Sequence, residues 1–267
     1  MSYTNYYPAS GMLHASLPLL MGTRIDALLF GGDRSRMEYV WEVIEKDARR
    51  LEKMLNRYDP TSEVSKVNEN APLVAVQLSD ELWEIMLDCR RYYELTEGFF
   101  DVTTTNFEKI IFLDDSHSIR FDDYGITLDF GGYAKGYALK CMRKRLDEAG
   151  ICRALINFGN SATLALGGHP YGDSWPVSID DLLDGISLPP IHLCNESLSV
   201  SGNSPAHKAH IINPKTAEPV TGEQMVVVVA ADPVDAEALT TAWIASGEDD
   251  APDWLKKFTL NKKYRIK

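Results

Sequence analysis

Between Met37 and Leu55 the apolar residues Met37, Val40, Trp41, Ile44, Ala48, Leu51 and Leu55 recur every three or four positions, a rhythm that builds a long helix with one buried face. Such a face must be covered by a sheet or by other helices. The helix stops before Asp59-Pro60, where proline disfavours a helical residue ahead of it. Ser79 caps a second helix whose Leu82, Ile85, Met86, Cys89 and Tyr93 form an apolar stripe, with Gly98 as its stop. A third helix is expected over residues 134–148, closing on Gly150, and a fourth opens at Asp232-Pro233, an N-cap acid followed by proline at the first helical position. Strands are expected at 24–30, 126–130, 151–158 and 225–231, another ends near Leu166, and a short helix around Trp254 precedes a basic strand-like tail at 262–267. Residues 182–190 read as a surface loop. Strands and helices do not alternate regularly, so the pattern favours an α+β fold, with a mixed, largely antiparallel sheet and several long helices, over a doubly wound sheet.

The chain of 267 residues, 45% hydrophobic and 25% charged, buries roughly three quarters of its unfolded surface at this size. One domain over residues 21–267 behind an N-terminal extension, residues 1–20, accounts for it. Lys and Arg number 27 against 39 Asp and Glu, a formal charge of -12, which repels a phosphate backbone and argues against nucleic acid as a partner. Cys89, Cys141, Cys152 and Cys194 form no C-x-x-C pair, so neither a zinc ribbon nor a dithiol motif is present and the four read as reduced core residues. No stretch approaches the roughly 20 apolar residues of a membrane span. The start of the chain lacks a basic and then apolar export signal, so the expected compartment is the cytoplasm, or the periplasm if a signal or lipoprotein segment was removed.

Three constellations carry chemical content. Leu128-Asp129-Phe130-Gly131-Gly132-Tyr133-Ala134-Lys135-Gly136-Tyr137 puts a carboxylate at a strand end, two glycines in the turn and a lysine at a helix start. It reads either as a phosphate or nucleotide cradle or as a tight strand-to-helix turn with an exposed lysine. It is neither a G-x-G-x-x-G fingerprint nor a Walker loop. Glu237 and Thr241, four apart, share one helix face and are hard oxygen donors suited to Mg2+ or Ca2+; the alternative is an exposed acid beside a buried threonine. His210, in His210-Ile211-Ile212-Asn213-Pro214, is either a general base or a structural histidine. His14, His117, His169, His192 and His207 have no supporting pattern.

Met21-Gly22-Thr23, the segment from Asn56 through Arg57, Tyr58, Asp59 and Pro60 to Asn68, and Gly98-Phe99-Phe100-Asp101 occur in this order. They are followed by the Asp129 to Tyr137 segment, Asn157-Phe158-Gly159, Ser201-Gly202, His210 to Pro214, and Ala236-Glu237-Ala238-Leu239-Thr240-Thr241-Ala242. This succession resembles the ApbE-type FAD:protein FMN transferases. The resemblance implies an α+β fold that binds FAD with Mg2+ near its pyrophosphate, moves FMN onto a threonine or serine hydroxyl of a target flavoprotein, and releases AMP. It implies further that Met21, Tyr58, Phe99, Phe100 and Asp101 line the flavin or adenine pocket, and that Asp129, Lys135, His210 and Ile211 lie along the FAD. The Gly132 carbonyl, the Glu237 carboxylate and the Thr241 hydroxyl would hold the metal, and His210 would be the catalytic proton acceptor.

That set suits the chemistry. Attack on a pyrophosphate phosphorus develops charge on phosphoryl oxygens, which a divalent cation and a lysine stabilise. The cation would also offset the acidity of the chain toward a diphosphate. Measured against the family pattern, Glu237 stands where aspartate is usual, Asn213 replaces an aspartate in His-Ile-Ile-Asp-Pro, Ala217 and Asn160 replace glycines, and Lys140 replaces an aspartate. Without a carboxylate at 213, His210 would be less basic. These departures keep a second reading open, an FAD-binding protein or slow FAD pyrophosphatase without transferase activity.

Overall fold

The computed structural model of the chain describes residues 2–179, 188–203 and 211–266. It opens with β1 (Tyr3–Tyr7), β2 (Met12–Leu20) and β3 (Thr23–Phe30), followed by α1 (Arg34–Leu55), α2 (Glu63–Asn70), β4 (Val76–Gln77) and α3 (Asp80–Leu95). Next come β5 (Ile110–Leu113), β6 (Ser118–Phe121), α4 (Ala134–Glu148), β7 (Arg153–Phe158), β8 (Ala162–Leu166), β9 (Trp175–Val177), β10 (Ile191–Leu193) and β11 (Glu196–Asn203). After β12 (Ile212–Asn213), β13 (Glu218–Pro219), β14 (Gln224–Ala230) and α5 (Pro233–Ser246), a 3-10 turn at Asp253–Lys257 leads into β15 (Leu260–Ile266).

Eight strands form the main sheet in the order β1-β2-β3-β7-β8-β11-β14-β15, and every described pairing is antiparallel. The fold is therefore α+β, with antiparallel pairing throughout the sheet where a mixed one was expected. Residues 3–20, expected as an extension, supply its first two strands. β14 reads Gln-Met-Val-Val-Val-Val-Ala and is buried at every position, because it is covered on both faces. Val226 and Val228 join the core under α1, α4 and α5, while Met225, Val227 and Val229 join a second cluster with Trp175, Ile191 and Leu193 on the far side.

α1 buries the expected stripe and extends it with Met54. In α3 the Ser79 hydroxyl accepts from the Leu82 amide as a cap, but Tyr92 rather than Tyr93 is the fully buried aromatic, since 3.6-residue periodicity carries the stripe to that position. Gly150, at φ +67°, ends α4 as expected. α5 buries residues on every side, among them Val234, Glu237, Ala238, Thr240 and Trp243, because it packs on β11, β14 and α4 at once.

Two further expectations change. Residues 126–130 join no sheet, and of the four free cysteines only Cys89 is buried, while Cys152 and Cys194 are exposed. The loop expected at 182–190 falls largely outside the described residues. Among the described residues no helix is long and apolar enough to cross a membrane.

Candidate active site

The segment entering the Gly131-Gly132 turn is held by a side chain acting as a neighbouring strand. Asn68, near the end of α2, donates through Nδ2 to the Leu128 carbonyl at 3.1 Å and accepts from the Leu128 amide at 2.8 Å. The Asp129 amide then donates to the Val102 carbonyl at 2.7 Å. Asp129 folds back over the turn, its Oδ1 accepting from the Gly131 amide at 2.9 Å. Its Oδ2 lies 3.1 Å from Arg57 Nε, although that N–H is not aimed into a hydrogen bond, so the contact is Coulombic. Arg57 also donates to the Tyr58 hydroxyl at 2.9 Å and lies over its ring, and Tyr58 itself is exposed.

Tyr133 fixes the other side of the turn by donating to Asp88 Oδ2 of α3 at 2.8 Å. Burial, with the Asp88 carboxylate adding to it, pushes this phenol far above the ordinary tyrosine range, so it stays a neutral donor. Beyond it, α4 lies directly against α5. A Cβ built on Gly132 would stand 2.9 Å from Thr241 Oγ1, and one on Gly136 would stand 2.8 Å from Glu237 Cβ; only glycine permits either approach. The hydroxyls of Thr240 and Thr241 both donate to the Glu237 carbonyl, at 2.9 and 3.2 Å.

Glu237 is buried and Thr241 only partly so, the reverse of an exposed acid beside a buried threonine. The carboxylate needs a partner in that setting, and Lys135 Nζ supplies one at 2.6 Å from Oε1. The contacts thus gather Asp129, Gly132, Lys135, Glu237 and Thr241, with Arg57 and Tyr58 at the rim. One carboxylate, one hydroxyl and a backbone turn form a hard oxygen donor set. Among the described residues there is no cluster of three His, Cys, Asp or Glu side chains. A cation here would draw its other ligands from water and phosphate oxygens, which suits Mg2+ rather than Zn2+.

The remaining expected residues are placed differently. Met21 sits in the β2–β3 turn at φ +47°, its amide donating to Glu52 of α1 at 2.6 Å. Phe99 is partly exposed, with Lys215 Nζ 5.6 Å from its ring centre. Phe100 is buried against Tyr92 and Tyr133. Asp101 turns into its own loop and accepts from the Thr103 amide, the Thr103 hydroxyl and the Phe107 amide; burial outweighs these bonds and raises its carboxyl above the usual range. Ile211 is buried and its carbonyl accepts from Val220. His210 lies outside the described residues. Asn213 accepts from the Lys215 amide in its own turn, Ala217 and Asn160 both hold positive φ, and Lys140 pairs with Asp232 at 2.8 Å.

Sequence reasoning passed over Arg57 as a partner of Asp129, Gly136 as the helix contact, and Ser199, whose hydroxyl donates to Glu237 Oε2 at 2.8 Å. The signal for the last was present in the alternation Ser197, Ser199, Ser201, which puts three hydroxyls on one face of a strand.

A model of the ApbE family matches residues 21–110 and 103–264. Over 147 residues the chain is 33% identical to a Rhodobacter capsulatus protein named FAD:protein FMN transferase, covering 51% of this chain and 27% of that protein's length. A protein of the same name from Chlamydia muridarum is 23% identical over 78% of this chain and 76% of its own length. Among solved structures, the ApbE protein of Thermotoga maritima superposes with a TM-score of 0.78 at 20% identity, over 96% of this chain and 89% of that one, a likeness of fold.

Proposed function

Since the chain belongs to the ApbE family, we propose that it transfers the FMN half of FAD to a threonine or serine hydroxyl of a target flavoprotein, releasing AMP, with Mg2+ at the Gly132, Glu237 and Thr241 oxygens. The observation that carries this reading is the meeting of the Gly131-Gly132 turn with α5, which sets Lys135 and a buried Glu237 2.6 Å apart beside Thr241. In the reaction the acceptor oxygen bonds to the phosphorus of the FMN half, the bond from that phosphorus to the AMP oxygen breaks, and the hydroxyl proton passes to a base. Mg2+ would neutralise charge developing on the phosphoryl oxygens and on AMP as it leaves. Lys135 would add a second positive charge beside the diphosphate, and Asp129, held by Gly131 and Arg57, orients the nucleotide. Met21, Tyr58, Phe99 and Ile211 border the flavin or adenine, with Phe100 and Asp101 supporting that wall from inside the fold. His210 is assigned as the proton acceptor, a role that contributes roughly 10²- to 10⁴-fold.

The four free thiols are in keeping with a reducing compartment such as the cytoplasm. The test is incubation with FAD, Mg2+ and a flavoprotein carrying acceptor threonines, following AMP, free FMN and the fluorescent protein adduct. AMP and adduct in equal amounts, lost on EDTA treatment and restored by Mg2+, are expected. Free FMN and AMP without adduct would identify an FAD pyrophosphatase instead, and bound FAD without turnover a flavin carrier.

A further inference from the structure

Glu237 divides its two oxygens between different partners. Oε2 accepts from the Ser199 hydroxyl at 2.8 Å, and Oε1 lies 2.6 Å from Lys135 Nζ. The first bond is fixed by its surroundings. Ser201 donates to Thr240 Oγ1 at 2.9 Å, and the Thr240 hydroxyl donates in turn to the Glu237 carbonyl at 2.9 Å. Ser199, itself buried, also lies 3.3 Å from Thr240 Oγ1, but the carboxylate is the nearer acceptor and the charged one, so the Ser199 proton goes to Oε2. That bond takes one lone pair of Oε2 and draws charge from it, so Oε1 is the stronger donor toward a cation. Lys135 already holds it. A lysine in the first turn of a helix faces the positive end of the dipole, and its pairing with Glu237 offsets that cost.

We infer that Lys135 is a resident counter-ion that a divalent cation displaces from Glu237 Oε1, and that the displaced ammonium is then turned to the diphosphate, so that cation and dinucleotide bind cooperatively. Ser199 is the positioning residue, because its hydrogen bond fixes the carboxylate with Oε1 on Lys135 and weakens Oε2 as an alternative donor to the cation. The inference rests on the reading of this site as one for a divalent cation and a diphosphate. Linkage then requires that FAD raise the affinity for the cation by the same factor as the cation raises the affinity for FAD.

The experiment measures Mn2+ binding to the full chain by the loss of the free-ion electron paramagnetic resonance signal, with and without FAD, in wild type, Lys135→Met, Ser199→Ala and the double variant. Removing the ammonium leaves a buried carboxylate without its counter-charge, so Lys135→Met should bind Mn2+ about tenfold or more tightly without FAD. In the Ser199→Ala background, where Oε2 regains its charge and can take the cation beside the Lys135 pair, the gain should fall below about threefold, a coupling that two independent structural effects would not produce. FAD should strengthen Mn2+ binding more in wild type than in Lys135→Met. Circular dichroism establishes that each variant is folded, and Lys135→Gln replaces Lys135→Met if the latter is not. Equal or weaker Mn2+ binding by the folded lysine variants overturns the inference while leaving the cation site intact. Absence of saturable Mn2+ binding in every protein, with FAD present as well, overturns both the inference and the assignment of the site.

Discussion

Gly136 of α4 and Glu237 of α5 are so close that a Cβ built on the glycine would stand 2.8 Å from the glutamate Cβ and 2.7 Å from the Pro233 carbonyl oxygen. Neither atom can swing away, since a Cβ is placed by its backbone and the carbonyl lies at a helix start. Overpacking by Gly136→Ala should cost about 1–3 kcal/mol against the roughly 1 kcal/mol by which alanine favours a helix, a net destabilisation of up to about 2 kcal/mol. Urea unfolding measures this. A rise in the unfolding midpoint would show that the helices separate at little cost and that this contact does not set the position of Glu237.

The helices were legible because their signals are local. Periodicity and caps mark α1, α3, α4 and α5, and the apolar run at 225–231 marks β14. What was not legible depended on partners distant in sequence. Residues 126–130 have strand composition, yet their pairing groups are taken by the Asn68 side chain and by Val102, which no local pattern reveals. α2 is eight residues long, too short for its Ser62 cap and two buried valines to stand out. Within the site, spacing placed Glu237 and Thr241 on one face, but the burial of Glu237 follows from α5 being enclosed on all sides. The Lys135 contact follows from the close approach at Gly136.

Asn68 carries a further prediction. Its carboxamide serves both the amide and the carbonyl of Leu128, which is itself buried. Asn68→Ala should cost about 1–3 kcal/mol for polar groups left unpaired. Asn68→Asp retains the acceptor for the Leu128 amide but sets a carboxylate oxygen against the Leu128 carbonyl, so it should be no better than alanine. Thermal unfolding of the two variants checks the order; an aspartate variant as stable as wild type would rule out the paired geometry.

Ala217, at φ +58°, holds a left-handed conformation in the β12–β13 turn, where its amide donates to the Asn213 carbonyl at 2.9 Å. The conformation costs an L-residue about 1–2 kcal/mol, while glycine adds some entropy to the unfolded chain. Ala217→Gly should raise stability by about 0.5–1 kcal/mol. An unchanged or lowered denaturant midpoint would refute this.

Asp235, in the first turn of α5, accepts from the Tyr92 hydroxyl at 2.6 Å, and Arg91 Nη2 lies 3.8 Å away. Burial raises its carboxyl above the ordinary aspartate value, and Asp232 and Asp88 push the same way, while Tyr92 and Arg91 only partly oppose them. The folded state therefore holds this proton more tightly than the unfolded chain, in which aspartate titrates near about 3.9. Its contribution to stability is complete below that value and is lost as pH rises through the higher folded pKa, because in that window the unfolded chain binds fewer protons. Asp235→Asn keeps an oxygen for Tyr92 and removes the titration. The melting temperature of the variant relative to wild type should accordingly be least favourable near pH 3 and improve as the pH is raised past the aspartate range, reaching a plateau once wild-type Asp235 is ionised. Calorimetry in matched ionic strength gives the difference directly. Attraction of an ionised first-turn carboxylate to the helix dipole works in the opposite sense, at about 0.3–1 kcal/mol, so a variant that loses ground to wild type as the pH rises would mean that the dipole outweighs burial at this position.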